Sequence, residues 1–421
     1  MIIFVMKTRE NGASSQMLGP TTSVSTSSPT RPAHLRQANA RTLFQLVRAN
    51  DPCSKADLVR LSGLSAPTVT CAISHLENLG LVESIGDGES TGGRRPELLR
   101  INASHGYVAA ADIGGTRLRM MLADLNGSVL SSWSIILTKN QKTPQGVCGL
   151  IHEGLKKMCQ EAGISPAKIF HLTAGAPGIT NVTEGIVLSA PNLLDWVRVP
   201  LRTMLQRETK IPVIIDNDTN LAAVGEHWRG AAAGISTFVF IAIGTGVGAG
   251  IYLGGQLHHG AHWSAGEIGY LGTHGEKREP MQINQPGQLE RVIGGHGVEI
   301  KWAKMLQQAG IPRDSEQANL RASQIFDLAR DGDAAAVEVI QYAASILADT
   351  ITDISLLLDP AIVVLGGGVG SHPELCRLTQ GLIQKHEVSQ PQLRSSSLGT
   401  QAQLFGALFL SLKATEASLL S

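Results

Sequence analysis

Apolar positions first fall into register near Leu35. Ala40, Leu43, Phe44 and Val47 share one face of a helix predicted over Arg36 to Ala49. A second helix is predicted after Ser54, a good N-cap residue, with Leu58, Val59 and Leu61 on it and Gly63 as its stop. A third follows another N-cap candidate, Ser65, with Pro67 tolerated in the first turn. There Val69, Ala72, Ile73, Leu76 and Leu79 make a buried stripe at helical spacing, while Thr68, Thr70, Cys71, Ser74, His75 and Asn78 take the other face. Leu81–Ile85 and Glu97–Ile101 then read as two strands joined by a turn that contains Thr91-Gly92-Gly93-Arg94-Arg95-Pro96.

From about Gly106 to Leu412 apolar strand runs alternate with amphipathic helices, the pattern of an α/β architecture. One unit occurs twice. Val108–Thr116 is a strand with a glycine turn, followed by the strand Arg117–Asp124 and a tight turn at Asn126-Gly127. Phe238–Gly246 and Val247–Leu253 repeat that order, with the second turn at Gly254-Gly255. Two copies of one unit predict two similar lobes with a cleft between them. The expected division is a disordered Ser/Thr/Pro-rich tail over 1–34, a helical head over 35–102, and lobes of about 106–224 and 225–413. The linker Asn102–His105 is short, so head and lobes should be coupled.

Composition narrows the setting. The 421 residues suffice for two or three domains, and 35 basic residues balance 35 acidic ones. A neutral chain must bind nucleic acid through locally placed cations. Five scattered cysteines without metal-ligand spacing fit a reducing, cytoplasmic setting. Met1–Met6 lacks the charged start of a signal peptide, and initiation at Met6 or Met17 accounts for it equally well. Ala231–Gln256 carries no charge, but four glycines from Gly244 to Gly250 break it, so no membrane segment is expected.

Two regions carry candidate chemistry. In the head, Ser65, Thr68, Thr70, Ser74 and His75 can reach base edges or phosphates in a major groove, and Arg94 and Arg95 on a glycine-flexed wing suit phosphate or the minor groove. The plainer alternative is a helical bundle for protein docking. In the lobes, glycine turns at Gly114-Gly115-Thr116, Gly244-Thr245-Gly246 and Gly366-Gly367 would let backbone N–H groups approach phosphate, or are simply tight strand turns. Ile214–Asn220 ends a strand in Asp216, Asn217 and Asp218, which could bind sugar hydroxyls or accept a proton, or could cap the next helix, expected over Leu221 to Trp228.

Ser54-Lys-Ala-Asp-Leu, the Gly-Gly-Arg-Arg-Pro wing, Asp112-Ile-Gly-Gly-Thr116, Gly175-Ala-Pro-Gly178, Asn217-Asp-Thr-Asn220 and Gly266-Glu-Ile-Gly269 together resemble the ROK family from about Leu35 to Leu412. That family comprises actin-like sugar kinases and repressors of sugar-catabolism genes. The resemblance implies a winged helix-turn-helix followed by a two-lobed actin-like domain. It makes Asp218 the general base of a kinase, and Asn192, Asn217, Asp218, Glu267 and Glu290 ligands of sugar hydroxyls. Asp112 and the glycine turns would form the Mg-ATP site.

Two departures follow from the same comparison. Tyr270 stands where the family has a histidine that serves sugar and zinc, so it joins the candidate sugar-site residues. Met281–Glu290 replaces the family's cysteine run, so no structural zinc is expected. His258, His259, His262 and His274 are read as surface histidines, the alternative being a replacement metal site. The expected function is a sugar- or sugar-phosphate-responsive repressor of carbohydrate genes that binds double-stranded operator DNA as a homodimer or homotetramer. The alternative is an ATP-dependent hexose kinase with a fused DNA-binding head, and only then would Mg-ATP be required.

Overall fold

The computed structural model describes residues 32–87, 95–191, 193–273, 277–278, 280–282, 285–312, 315–387 and 390–421. In the head, α1 (Pro32–Ala49), α2 (Lys55–Ser62) and α3 (Ala66–Asn78) pack around Leu43, Phe44, Leu58, Ile73 and Leu76, all buried. Ser54 caps α2 in a reciprocal capping box with Asp57, and Gly63 ends that helix in the left-handed region. The helix α1 starts at Pro32, so helix replaces the last residues of the expected tail. The hairpin strands β2 (Val82–Asp87) and β3 (Glu97–Ile101) are joined by β1 (Cys53–Ser54), which pairs with β3 and makes the expected hairpin a three-stranded wing.

The first lobe is a sheet of β4 (Tyr107–Ile113), β5 (Arg117–Asp124), β6 (Val129–Ile136), β7 (Ile169–Ala176) and β11 (Val213–Asn217) in the order β11-β7-β4-β5-β6. A small sheet of β8 (Ile179–Asn181), β9 (Ile186–Ser189) and β10 (Val197–Val199) lies between β7 and β11 in sequence. The helices α4 (Pro144–Ala162) and α5 (Leu201–Thr209) cover one side. The second lobe repeats the plan with β12 (Phe238–Ile243), β13 (Val247–Leu253), β14 (Gln256–Leu257), β15 (Ile362–Gly366) and β16 (Gln392–Ser395) in the order β14-β13-β12-β15-β16. In each sheet the first strand is antiparallel to the second and parallel to the fourth, so the duplication seen in the sequence is a duplication of topology.

Around the second sheet lie α7 (Glu290–Ile293), α8 (Gly295–Gln308), α9 (Ala322–Arg330), α10 (Ala334–Leu358), α11 (Gly367–Gly370) and α12 (Pro373–Ile383). The α10 helix is long and apolar enough to cross a membrane, but 56% of its most apolar stretch is buried, much of it in the core of this lobe.

Two helices do not respect the expected split at residue 224. The helix α6 (Asp218–Arg229) starts at the end of the first sheet and packs on β13 of the second. The last helix, α13 (Ala402–Leu419), returns from the second lobe to pack on β4 and β7 of the first. The split fails because β4 and β7 leave an apolar face, including Val108 and Ala110, that this distant segment covers together with Leu221 of α6. Where α6 and α13 cross, a methyl on Gly225 would sit 2.1 Å from the Ala402 carbonyl oxygen. Gly225→Ala should therefore cost about 1–3 kcal/mol or more by forcing the helices apart, which a lowered Tm would register.

Candidate functional site

The two lobes enclose a cavity of about 960 Å³, within the ~300–1,000 Å³ usual for ligand sites. Asn217, Asp218, Glu267, Tyr270 and Glu290 all line it. Asp218 and Glu267, from opposite lobes, therefore face one hollow. Asn192 lies outside the described residues, and its neighbour Pro191 lines the cavity.

Asp218 is the first residue of α6, which starts earlier than the expected Leu221 because Asn217 caps it. The Asn217 side-chain oxygen accepts from Asn220 N at 3.0 Å, and its Nδ2 donates to the Gly178 carbonyl at 2.9 Å. Asn217 thus does the capping work that was the alternative to sugar binding, and only part of its amide is left for a ligand. Asp218 Oδ1 accepts from Thr219 N at 2.7 Å. Burial, with the charges of Asp112 and Glu267 added, overrides that bond and pushes the Asp218 pKa up to about 7. Burial and the charge of Glu290 push Glu267 up to about 7 as well. Glu290 is raised by burial, although it accepts a 3.0 Å bond from Val247 N. Burial and the two glutamates also raise the Tyr270 phenol.

The glycine turns lie at the other side of the same cavity, where Gly114, Gly115, Thr116, Gly244, Thr245, Gly246 and Gly367 line it together with Gly368. A methyl group on Gly244 or Gly368 would meet nothing within 4 Å, so their bare backbone faces open space of the kind a phosphate could fill. Gly366 does not belong here. It is the buried end of β15, and a methyl group on it would strike the Phe240 ring at 2.3 Å. Asp112 lies buried beneath the first turn, where Arg119 donates two hydrogen bonds to its Oδ2, at 2.6 and 2.9 Å. These turns and Asp112 are the residues that would hold a magnesium nucleotide, and Asp112 is already paired with Arg119.

The segment that carries Glu290 is seated by its backbone. Gly287 lies so close to Gly269 that a methyl would sit 2.0 Å from the Gly269 oxygen, and Leu289 N donates to Leu271 O at 3.1 Å. Among the described residues no three His, Cys, Asp or Glu side chains gather as a metal site. Of the histidines read as surface groups, His258 and His262 are exposed, whereas His259 is half-buried with Nε2 2.9 Å from Asp216 Oδ2. His274 lies outside the described residues.

In the head, Thr70, Cys71, Ser74, His75 and Asn78 are exposed on one side of α3 and Val69, Ala72, Ile73 and Leu76 are buried on the other. Ser65 caps α3, its hydroxyl 2.8 Å from that of Thr68, so both hydroxyls have partners in the fold. Arg95 is exposed, and Arg94 lies outside the described residues.

Four residues escaped the sequence reading: Arg119, Asp216 as a contact of His259, Thr219, and Glu416. Arg119 could have been found, since it stands opposite Asp112 once the β4–β5 register is set. Glu416 could not. It accepts from Gln45 Nε2 at 2.6 Å and pairs with Arg48 Nη1 at 3.4 Å, across more than 360 residues.

Fold and site thus define a two-lobed actin-like domain behind a winged helix-turn-helix. The ROK family model matches residues 108–414, and the chain belongs to the ROK family. A glucokinase from Halalkalibacterium halodurans is 32% identical over 62% of this chain and 80% of its own length. The xylose repressor of Caldicellulosiruptor bescii is 27% identical over 89% of this chain and 95% of its own. Among solved structures, a ROK family transcriptional regulator homologous to the E. coli MLC protein superposes with a TM-score of 0.75 at 24% identity, over 92% of this chain and 98% of that one. The ROK hexokinase of Thermus thermophilus gives 0.59 at 27% identity, over 73% and 99%.

The acid cluster makes a pH-dependent prediction. A carboxyl whose pKa is raised by folding stabilises the fold fully below its unfolded pKa and loses that contribution as pH rises through the folded value, here about 7 for Glu267. Glu267→Gln should therefore raise the Tm of the ligand-free protein by a few degrees at pH 8 and leave it near wild type at pH 4.5. A scan of Tm against pH tests this.

Proposed function

We propose that this protein is a DNA-binding repressor of carbohydrate genes, controlled by a sugar or sugar phosphate held in the cleft. The observation that carries the reading is the reach of the two kinds of relative. The xylose repressor aligns over 89% of the chain, the glucokinase over only 62%, and the family model itself starts after the head. Xylose is accordingly the first effector to test.

A physical route supports the coupling. Asp218 opens α6, α6 packs along α13, and the buried Glu416 near the end of α13 holds Gln45 and Arg48 of α1. The head core continues into Leu404, Leu408 and Leu412 of α13 without a break. A ligand that moves the N-terminus of α6 therefore acts on the element to which the head is anchored. Reading paired half-sites calls for a two-fold assembly, a homodimer or homotetramer, working in the cytoplasm. Contacts to the operator are assigned to Thr70, Ser74 and His75 in the major groove and to Arg94 and Arg95 on the wing, with Ser65 and Thr68 at the start of the recognition helix.

Binding to DNA from the gene's own upstream region should be in the nanomolar to micromolar range, fall with salt, and respond to one member of a sugar panel. Arg94→Ala with Arg95→Ala should weaken it at least several-fold in fluorescence anisotropy, and unchanged affinity would remove the DNA assignment. Glu416→Gln should leave sugar binding intact while reducing the sugar response of DNA binding.

A second reading, an ATP-dependent hexose kinase, is favoured by one observation: Asp218 shares a cavity with all three sets of glycine turns and has a pKa of about 7, suited to a general base. If it operates, ADP release with Mg-ATP and a hexose should rise as pH passes through about 7 and vanish in Asp218→Asn. Absence of sugar-dependent turnover across the panel would end this reading.

A further inference from the structure

We infer that His259 and Asp216 form an inter-lobe latch that sets Glu267 against Asp218, so that the two carboxylates are aligned for a ligand only while this contact holds. The inference rests on the reading of the cleft as a sugar site and adds positioning residues to it.

Asp216 lies on β11 of the first sheet, two residues before Asp218, and is 4% exposed. Its Oδ1 accepts from Asn217 N at 2.7 Å and from Asn220 Nδ2 at 3.2 Å, so the carboxylate holds the turn on both sides of Asp218. Its Oδ2 faces His259 Nε2 at 2.9 Å. His259 follows β14, an edge strand of the second sheet, so its contact with Asp216 on β11 joins the two lobes.

From His259 the chain runs directly to Glu267. Along it Ala265 N returns to His259 O at 3.4 Å, and Gly266 O accepts from Ala249 N at 2.7 Å. The loop is thus fixed at one end by the second sheet and at the other by the Asp216 contact. Trp263 adds a second sign of a built device. It sits at φ +63°, where a bulky side chain is strained, and its ring meets that of His259 edge-on with centroids 6.0 Å apart. Strain of this kind persists only where the surrounding packing enforces it. The hydrogen bond to Asp216 raises the His259 pKa against the effect of burial, so the contact gains charge assistance when the imidazole is protonated.

The test uses the full chain and isothermal titration with xylose, glucose, N-acetylglucosamine and their phosphates. Against the sugar that binds wild type, His259→Ala should lose about tenfold or more in affinity. His259→Gln, which offers an N–H toward Asp216, should recover most of that loss. Asp216→Asn combined with His259→Ala should be no worse than the more damaging single variant, as a shared contact requires. Affinity of His259→Ala within about twofold of wild type, or additive losses, would overturn the latch. If no sugar binds wild type, it is the sugar reading that fails, and the latch is read by amide hydrogen exchange instead. His259→Gln should keep slow exchange at 259–267 and 216–220 where His259→Ala speeds it, and equal exchange in wild type and His259→Ala would refute the latch.

Discussion

At the crossing of α6 and α13 two glycines meet backbone to backbone, and the remainder of the molecule is arranged around that contact. A methyl on Gly406 would lie 1.8 Å from the Leu221 carbonyl oxygen, and one on Gly225 2.1 Å from that of Ala402. A side chain on either helix would separate them. Beside the crossing the fully buried Glu226 accepts from Ala231 N at 2.7 Å, from the Ser396 hydroxyl and from Leu398 N at 3.2 Å. A carboxylate that far from water is tolerable only when its oxygens are used in this way. Those bonds fix the segment that enters α13 to the end of α6. One helix begins at the cleft, the other ends under the head, and their spacing is set by atoms that cannot be moved by small amounts.

The cleft is built on the opposite principle. Its carboxylates are buried and also face one another's charges, and together these push the pKa of both Asp218 and Glu267 up to about 7. A carboxyl in that state can donate as well as accept a hydrogen bond, which suits a ligand whose hydroxyls do both. A polyol that supplies donors to these oxygens relieves the conflict, so ligand binding and proton release are linked. The rigid crossing and the cleft are joined by α6, which carries Asp218 at its first residue and Gly225 at the crossing.

What could be read from the sequence follows from range. The strand–glycine–strand units of the lobes were legible because Val108–Thr116 and Phe238–Gly246 specify their turns locally, and the head was legible because Ser54, Gly63 and Ser65 punctuate its helices. The return of α13 to the first lobe was not, since nothing in Ala402–Leu419 marks which sheet will receive its apolar face. The site shows the same division. Asp218 was read from its place at a strand end and Glu267, Tyr270 and Glu290 from motif resemblance, and all four share one cavity. Gly366 was misplaced by a single residue, because a run of three glycines does not reveal which of them ends the strand. His259 was read as surface because its partner comes from the other lobe, 43 residues away. Asn217 illustrates a different limit: capping and ligand binding require the same chemistry, and only geometry shows the amide already engaged.

The same lobes serve kinases and repressors among the relatives, so the cleft alone does not decide between them. In this chain α13 also carries the head. Here a buried glutamate at its far end receives an arginine and a glutamine from the first helix of the head, and burial already weakens that arginine's hold on its proton. Breaking a desolvated pair of this kind strands a charge, which makes the contact effectively all-or-none. A graded movement of the lobes would therefore reach the head as a choice between docked and undocked positions. On the proposed reading, this contact is the route by which a bound sugar would change the position of the DNA-binding head.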